Sequence, residues 1–95
     1  MEFEWDPDTA AANFTKHGVD FVEASTIFAD PLEVTVPDPE HSAGEARFLS
    51  LGTSANARLL VVAYTEREGT IRIIHSRVAA AKERRAYESG QKSKD

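Results

Sequence analysis

The period of apolar positions changes several times along the chain. "EFEW" alternates acid and aromatic, which predicts a short edge strand with Phe3 and Trp5 on one side. "DPD" then opens a helix. Asp6 is placed as N-cap, Pro7 at the first helical position and Asp8 at the positive end of the dipole. This helix is predicted to run to about His17 and stop at Gly18, with Ala10, Phe14 and His17 on one stripe. Asp20, with Glu23 three residues on, starts a second helix whose buried stripe is Phe21, Ala24, Ile27 and Phe28. Asp30-Pro31 ends it, and "LEVTV" reads as a short strand. "PDPEHSAGEA" has no apolar period and reads as a loop. "RFLSLG", "RLLVVAYTE" and "TIRIIHSR" follow as three strands, and the short connectors "TSANA" and "REG" call for antiparallel hairpins. A last helix is expected from about Ala79 to Ser89, ending at Gly90, with residues 90–95 fraying. The order β-α-α-β-β-β-β-α predicts a single α+β domain over residues 1–95. Its two N-terminal helices pack on an antiparallel sheet, and a helix closes the chain.

Composition narrows the function classes. The 95 residues are 41% hydrophobic and 28% charged, which fits one small folded domain. With no cysteine there is neither a disulfide framework nor a thiolate metal site. The acidic start "MEFEWDPDTA" lacks the apolar run of a signal peptide, and "LLVVAY" is too short to span a bilayer, so a cytoplasmic protein is expected. The net charge of -5 hides an asymmetry: residues 1–45 hold eleven acids and one base (-10), residues 46–95 five acids and ten bases (+5). Either the molecule is electrostatically two-sided, or the opposite charges meet in the fold.

The positive half carries the candidate chemistry. Simple alternation puts Ile71, Ile73, His75 and Arg77 on one face and Arg72 on the other. His75 and Arg77 would stand roughly 6.5–7 Å apart along the strand. Arginine neutralises phosphate bidentately and histidine moves a proton near neutral pH, so the pair suits phosphate chemistry. The plainer alternative is an Arg77 paired with an acid and a His75 that only packs. Glu66 and Arg67 sit at a strand end, as a general base and a cation or as a solvated hairpin tip. Lys82, Arg84, Arg85 and Tyr87 lie on the last helix, where bases near its C-terminus also favour the dipole. Lys16 and His17 close the first helix, with Asn13 one turn earlier. His17, His41 and His75 lack metal-ligand spacing, and no Gly-rich phosphate loop or GxSxG is present, so neither metal nor cofactor is expected.

Three motifs in order, W-D with a following N-x-x-K-H-G-V-x-F, then T-E-R before I-R-I-I, then S-R-x-A-x-x-x-E-R-x-x-Y, span nearly the entire chain. In these the sequence resembles the BrnT family of toxins from bacterial type II toxin–antitoxin systems. The resemblance implies a RelE-like fold and a metal-independent ribonuclease that stops translation when free. It also implies a BrnA-type antitoxin partner, through which alone the complex reaches operator DNA. The family's motif positions fall here on Trp5, Asp6, Asn13, Lys16, His17, Gly18, Glu66, Arg67, Arg72, Arg77, Glu83, Arg84 and Tyr87. Thr9 stands where the family usually has lysine, and His75 where a small residue is common.

RNA cleavage without metal needs a base for the 2′-OH, positive charge at phosphorus and a proton for the 5′ oxygen. The expected catalytic set is Arg67 and Arg77 for charge, Glu66 or His75 as base, and Tyr87 to stack or orient a base. Lys16, His17, Arg72, Lys82, Arg84 and Arg85 are expected to bind RNA. The other reading is a module that has lost catalysis and serves only in an antitoxin or repressor complex.

Overall fold

A computed structural model describes residues 1–92. Five strands, β1 (Glu2–Glu4), β2 (Val34–Pro37), β3 (Arg47–Thr53), β4 (Leu59–Arg67) and β5 (Thr70–Val78), form one sheet in the order β1-β5-β4-β3-β2. The last four are antiparallel neighbours, as their short connectors require. β1 instead pairs parallel with β5 from Thr70 to Arg72, so the expected antiparallel sheet is mixed at that edge. The long connection through both N-terminal helices makes this possible, since a parallel neighbour needs a crossover. The β4–β5 turn places Glu68 and Gly69 at φ 51° and 85°, a pair of positive angles that matches the twist of a two-residue hairpin.

Helix α1 (Pro7–His17) has the predicted bounds. Asp6 accepts hydrogen bonds from the Thr9 amide and hydroxyl, and Gly18 takes the left-handed conformation at φ 69°. Its inward residue is not Phe14, which is exposed, but Asn13. Asp20 caps α2 (Phe21–Ser25), which tightens into a 3₁₀ turn at Thr26–Ala29. Phe21, Ala24 and Ile27 are buried against Leu60, Val62, Tyr64, Ile71 and Ile73, with Phe3, Trp5 and Phe28 at the margin. Gly52 lets β3 approach the 3₁₀ turn: a Cβ there would stand 3.1 Å from Ile27 Cβ. The expected loop over residues 37–46 holds a short 3₁₀ turn, Pro39–His41.

Two further expectations change. Helix α3 spans Ala81–Lys92 and passes through Gly90, so the expected stop there is absent, and fraying of residues 93–95 lies outside the described residues. In β5 the simple alternation breaks. Tyr64 faces Ile73 while Ala63 faces His75, so Ile74 is an extra residue in the strand. Ile71 and Ile73 are buried, and then Ser76, not His75.

Candidate functional site

Directly opposed residues of neighbouring strands share a face. Leu60, Val62 and Tyr64 of β4 face the helices, together with Ser76 and Ile73 opposite the last two. Val61, Ala63 and Thr65 therefore face the other way, and opposite them stand Arg77, His75 and Arg72. The bulge thus brings to one face three residues that alternation divides between two. Towards β3 the same rows continue to Leu51, Leu49 and Arg47. This face is apolar at one end, where Val34, Leu49, Leu51 and Val61 form a groove beside Glu83 and Ala86 of α3, and rich in arginine at the other.

β1 stops pairing at Arg72, so beyond it β5 is a sheet edge. Asn13 of α1 fills the missing partner's place. Its amide donates to Ser76 O at 2.8 Å and to Val19 O at 3.0 Å, and its carbonyl oxygen accepts from Ser76 N at 3.1 Å. Both outward backbone groups of Ser76, buried under α1, are thereby satisfied. This clamp fixes α1 against β5 and sets His17 beside His75. Their Nε2 atoms lie 3.1 Å apart with the rings at 88°. One ring nitrogen donates and the other accepts, so the neutral pair has one basic vacancy for a proton. Burial, followed by the charges of His17, Arg77, Arg47 and Lys16, holds His75 below the ordinary histidine value of 6.5. The pair lines an open cavity of about 210 Å³ with Thr9, Asn13, Lys16 and Ile74. No third histidine, cysteine or acid joins it among the described residues to make a metal group.

The other predicted residues scatter more. Arg77 forms a two-pronged pair with Glu83, both bonds 2.8 Å, and Glu83 also accepts from Ala80 N at the start of α3. The Arg77 guanidinium first, and the Ala80 amide after it, hold the Glu83 carboxyl below its usual range. Arg67 is gripped the same way by Glu45, at 2.6 and 2.8 Å. Glu66 stands opposite Ile71, on the helix-facing side and away from the histidines. Tyr87 is buried, and its hydroxyl donates to Asp30 Oδ2 at 2.5 Å and meets Thr53 Oγ1 at 3.3 Å. Its ring ties α3 to the body and offers no open stacking face. Lys82, Arg84 and Arg85 are exposed on α3, and Lys16 is exposed on α1.

The charge asymmetry resolves in part by pairing. Arg47, Arg58, Arg67 and Arg72 each meet an acid of the first 45 residues: Asp38, Glu23, Glu45 and Glu4. Glu23 is the buried member. It receives Arg58 at 2.5 and 3.0 Å and the Ser54 hydroxyl at 2.7 Å. Sequence reasoning missed Arg47 and the clamp role of Asn13. Period-two counting from β4 could have found the first, whereas the second rests on a contact 63 residues away.

No helix among the described residues is long and apolar enough to cross a membrane. No curated protein matches the chain by sequence. In fold it resembles the Brucella abortus ribonuclease toxin BrnT, solved at 1.1 Å, with a TM-score of 0.67 and 19% identity over 84% of this chain and 97% of that one. The family model described as the ribonuclease toxin BrnT of type II toxin–antitoxin systems matches residues 5–83. With that match running from Trp5, just after β1, into the first turn of α3, the chain belongs to the BrnT family of ribonuclease toxins.

Proposed function

We propose that this chain cuts RNA without a metal ion, stops translation in the cytoplasm when free, and is neutralised by a BrnA-type antitoxin that supplies any operator contact. The observation that carries the reading is the His17–His75 pair on the edge of a sheet face that also holds Arg72 and Arg77. His75, kept neutral, takes the 2′-OH proton. The 2′ oxygen then bonds to the adjacent phosphorus as the bond to the 5′ oxygen breaks. The histidine pair returns the proton to that leaving oxygen, so the proton count balances. Arg77 and Arg72 offset the charge that builds on the phosphorane. Lys16, Lys82, Arg84 and Arg85 hold flanking phosphates, and Arg67 binds at the far end of the face.

The test is purified chain and RNA in excess chelator, with mapping of the ends. Fragments with 2′,3′-cyclic phosphate and 5′-hydroxyl ends, lost in His75→Gln, are expected. Cleavage that disappears with chelator and returns with a divalent ion would sink the metal-free step, and intact RNA would sink the whole reading. Expression alone should arrest growth, and co-expression with the antitoxin should relieve it.

One feature favours the second reading, a binding module without catalysis. Arg67 and Arg77 are each already engaged by a carboxylate fork. Under that reading expression is harmless while the antitoxin still binds tightly.

A further inference from the structure

One row of side chains crosses the whole sheet. Glu4 of β1 faces Arg72, Arg72 faces Thr65, Thr65 faces Arg47, and the Asp38 amide, just past β2, donates to Arg47 O. The row reads acid, arginine, threonine, arginine, acid. Its outer ion pairs are loose, 3.4 Å for Arg72 with Glu4 and 3.8 Å for Arg47 with Asp38. They contrast with the two-pronged contacts that occupy Arg67 and Arg77.

At the centre, Thr65 is only 5% exposed. Its Oγ1 and the Nε of Arg47 are buried atoms that meet no hydrogen-bond partner among the described residues. Native folds leave few such groups unpaired, because each costs stability. Here two lie on directly opposed residues, with Cβ atoms about 5 Å apart by strand geometry. A guanidinium Nε–H can only donate, and the hydroxyl can donate too. Arg72 adds donors from the other side. Apart from Asp38 Oδ2, which stands 3.8 Å from the Arg47 Nε and beyond hydrogen-bond reach, the two buried groups meet no acceptor among the described residues; between two cations whose own acids hold them loosely, they fit an anion.

We propose that Arg47 and Thr65, with Arg72 opposite, form a seat for one phosphate of the RNA backbone, next to the histidine pair. The identity of the ligand as RNA rests on the ribonuclease reading; the seat itself rests on the row. His75 stands on the adjacent row of the same face. Arg47 is also close enough to disfavour protonation of His75. A phosphate seated here lies one row from the group that takes the 2′ proton.

The test compares the whole chain with Thr65→Val and Arg47→Gln, using two probes. One is inorganic phosphate, followed by amide and Arg Nε resonances. The other is a short oligoribonucleotide with every 2′-OH methylated, which cannot be cut. Phosphate should shift the Thr65 and Arg47 signals in the parent chain. Thr65→Val should bind the oligonucleotide about tenfold more weakly with the same salt slope. Arg47→Gln should also lower the slope by about 0.7. Thr65→Val should melt no lower than the parent, since it removes an unpaired hydroxyl; a purely structural threonine gives the reverse, lower melting and unchanged affinity. If the parent chain cuts RNA but both variants bind as tightly as it does, the seat is overturned and the ribonuclease reading survives. If phosphate engages the row but RNA is never cut, the seat stands and that reading falls. No response at Thr65 or Arg47 to either probe overturns the seat.

Discussion

His17 and His75, 58 residues apart, meet Nε2 to Nε2 at 3.1 Å across the junction of α1 and the bulged strand β5. His75 cannot gain a proton without placing a charge beside Arg77, Arg47 and Lys16. Burial of His75 adds the largest cost.

The pH dependence follows. Because His75 titrates below its ordinary 6.5, the folded chain binds fewer protons than the unfolded chain in the window beneath that value. This contribution to stability is intact above about pH 6.5 and is lost as pH falls through the window. Melting temperature should drop as pH falls below about 6.5, and cleavage should fall on the same acid limb. Thermal unfolding of His75→Gln should show a flatter profile. An equally steep decline in the variant would assign the effect elsewhere.

Asn13 stands in for a strand. Asn13→Ala leaves the Ser76 N–H and C=O unpaired at the edge of β5 and should cost about 2–4 kcal/mol. Denaturant unfolding measures the loss. Hydrogen exchange should show the Ser76 amide opening before its neighbours; unchanged protection there would contradict the clamp.

These two histidines and this asparagine mark where sequence reasoning reached its limit. Caps and breakers are local chemistry, so Asp6, Pro7, Gly18 and Asp20 gave the bounds of α1 and the start of α2 directly. The strands were legible because their connectors are short and their apolar runs distinct. Phe14 misled because helix spacing alone cannot say whether a packing partner exists, and here the inward position belongs to a polar residue with a distant mate. Gly90 misled because helix α3 continues where the local signal says stop. His75, Arg77 and Arg72 were identified individually, but their arrangement was not, since no residue type announces a bulge at Ile74.

The Arg77–Glu83 pair separates structure from catalysis. Arg77→Ala should slow cleavage at least about tenfold and also lower stability by about 1 kcal/mol, because Glu83 loses the partner that steadies the start of α3. The swap Arg77→Glu with Glu83→Arg should recover part of the stability and none of the activity. Growth arrest on induction, beside thermal melts, reads both. A folded, fully toxic Arg77→Ala chain would remove Arg77 from the reaction.

Glu23 and Arg58 hold α2 to the β3–β4 turn. Glu23→Ala should destabilise by about 2–3 kcal/mol, below the range for fully buried pairs because the Arg58 side chain is 37% exposed. The hydrogen bond from Arg58 is the main force holding the Glu23 carboxyl below 4.5. Its contribution is therefore present above pH 4.5 and disappears as pH falls through the lowered value. Acid unfolding should begin at higher pH once Arg58 is replaced by methionine, and an unshifted midpoint would rule this pair out as the acid-sensitive contact.

The extra residue at Ile74 works as a parity switch. Before it, even-numbered side chains of β5 point to the arginine face; after it, odd-numbered ones do. Removing that single residue would leave a regular strand with Arg72, His75 and Arg77 still on the arginine face, because the bulge only absorbs the extra position. Keeping Ile74 but flattening the bulge, with Ile74 opposite Ala63, would instead turn His75 and Arg77 toward the helices and leave Arg72 behind. The toxin's chemistry is thus encoded partly as a count: the same charged groups, one residue out of step, would be divided between two faces.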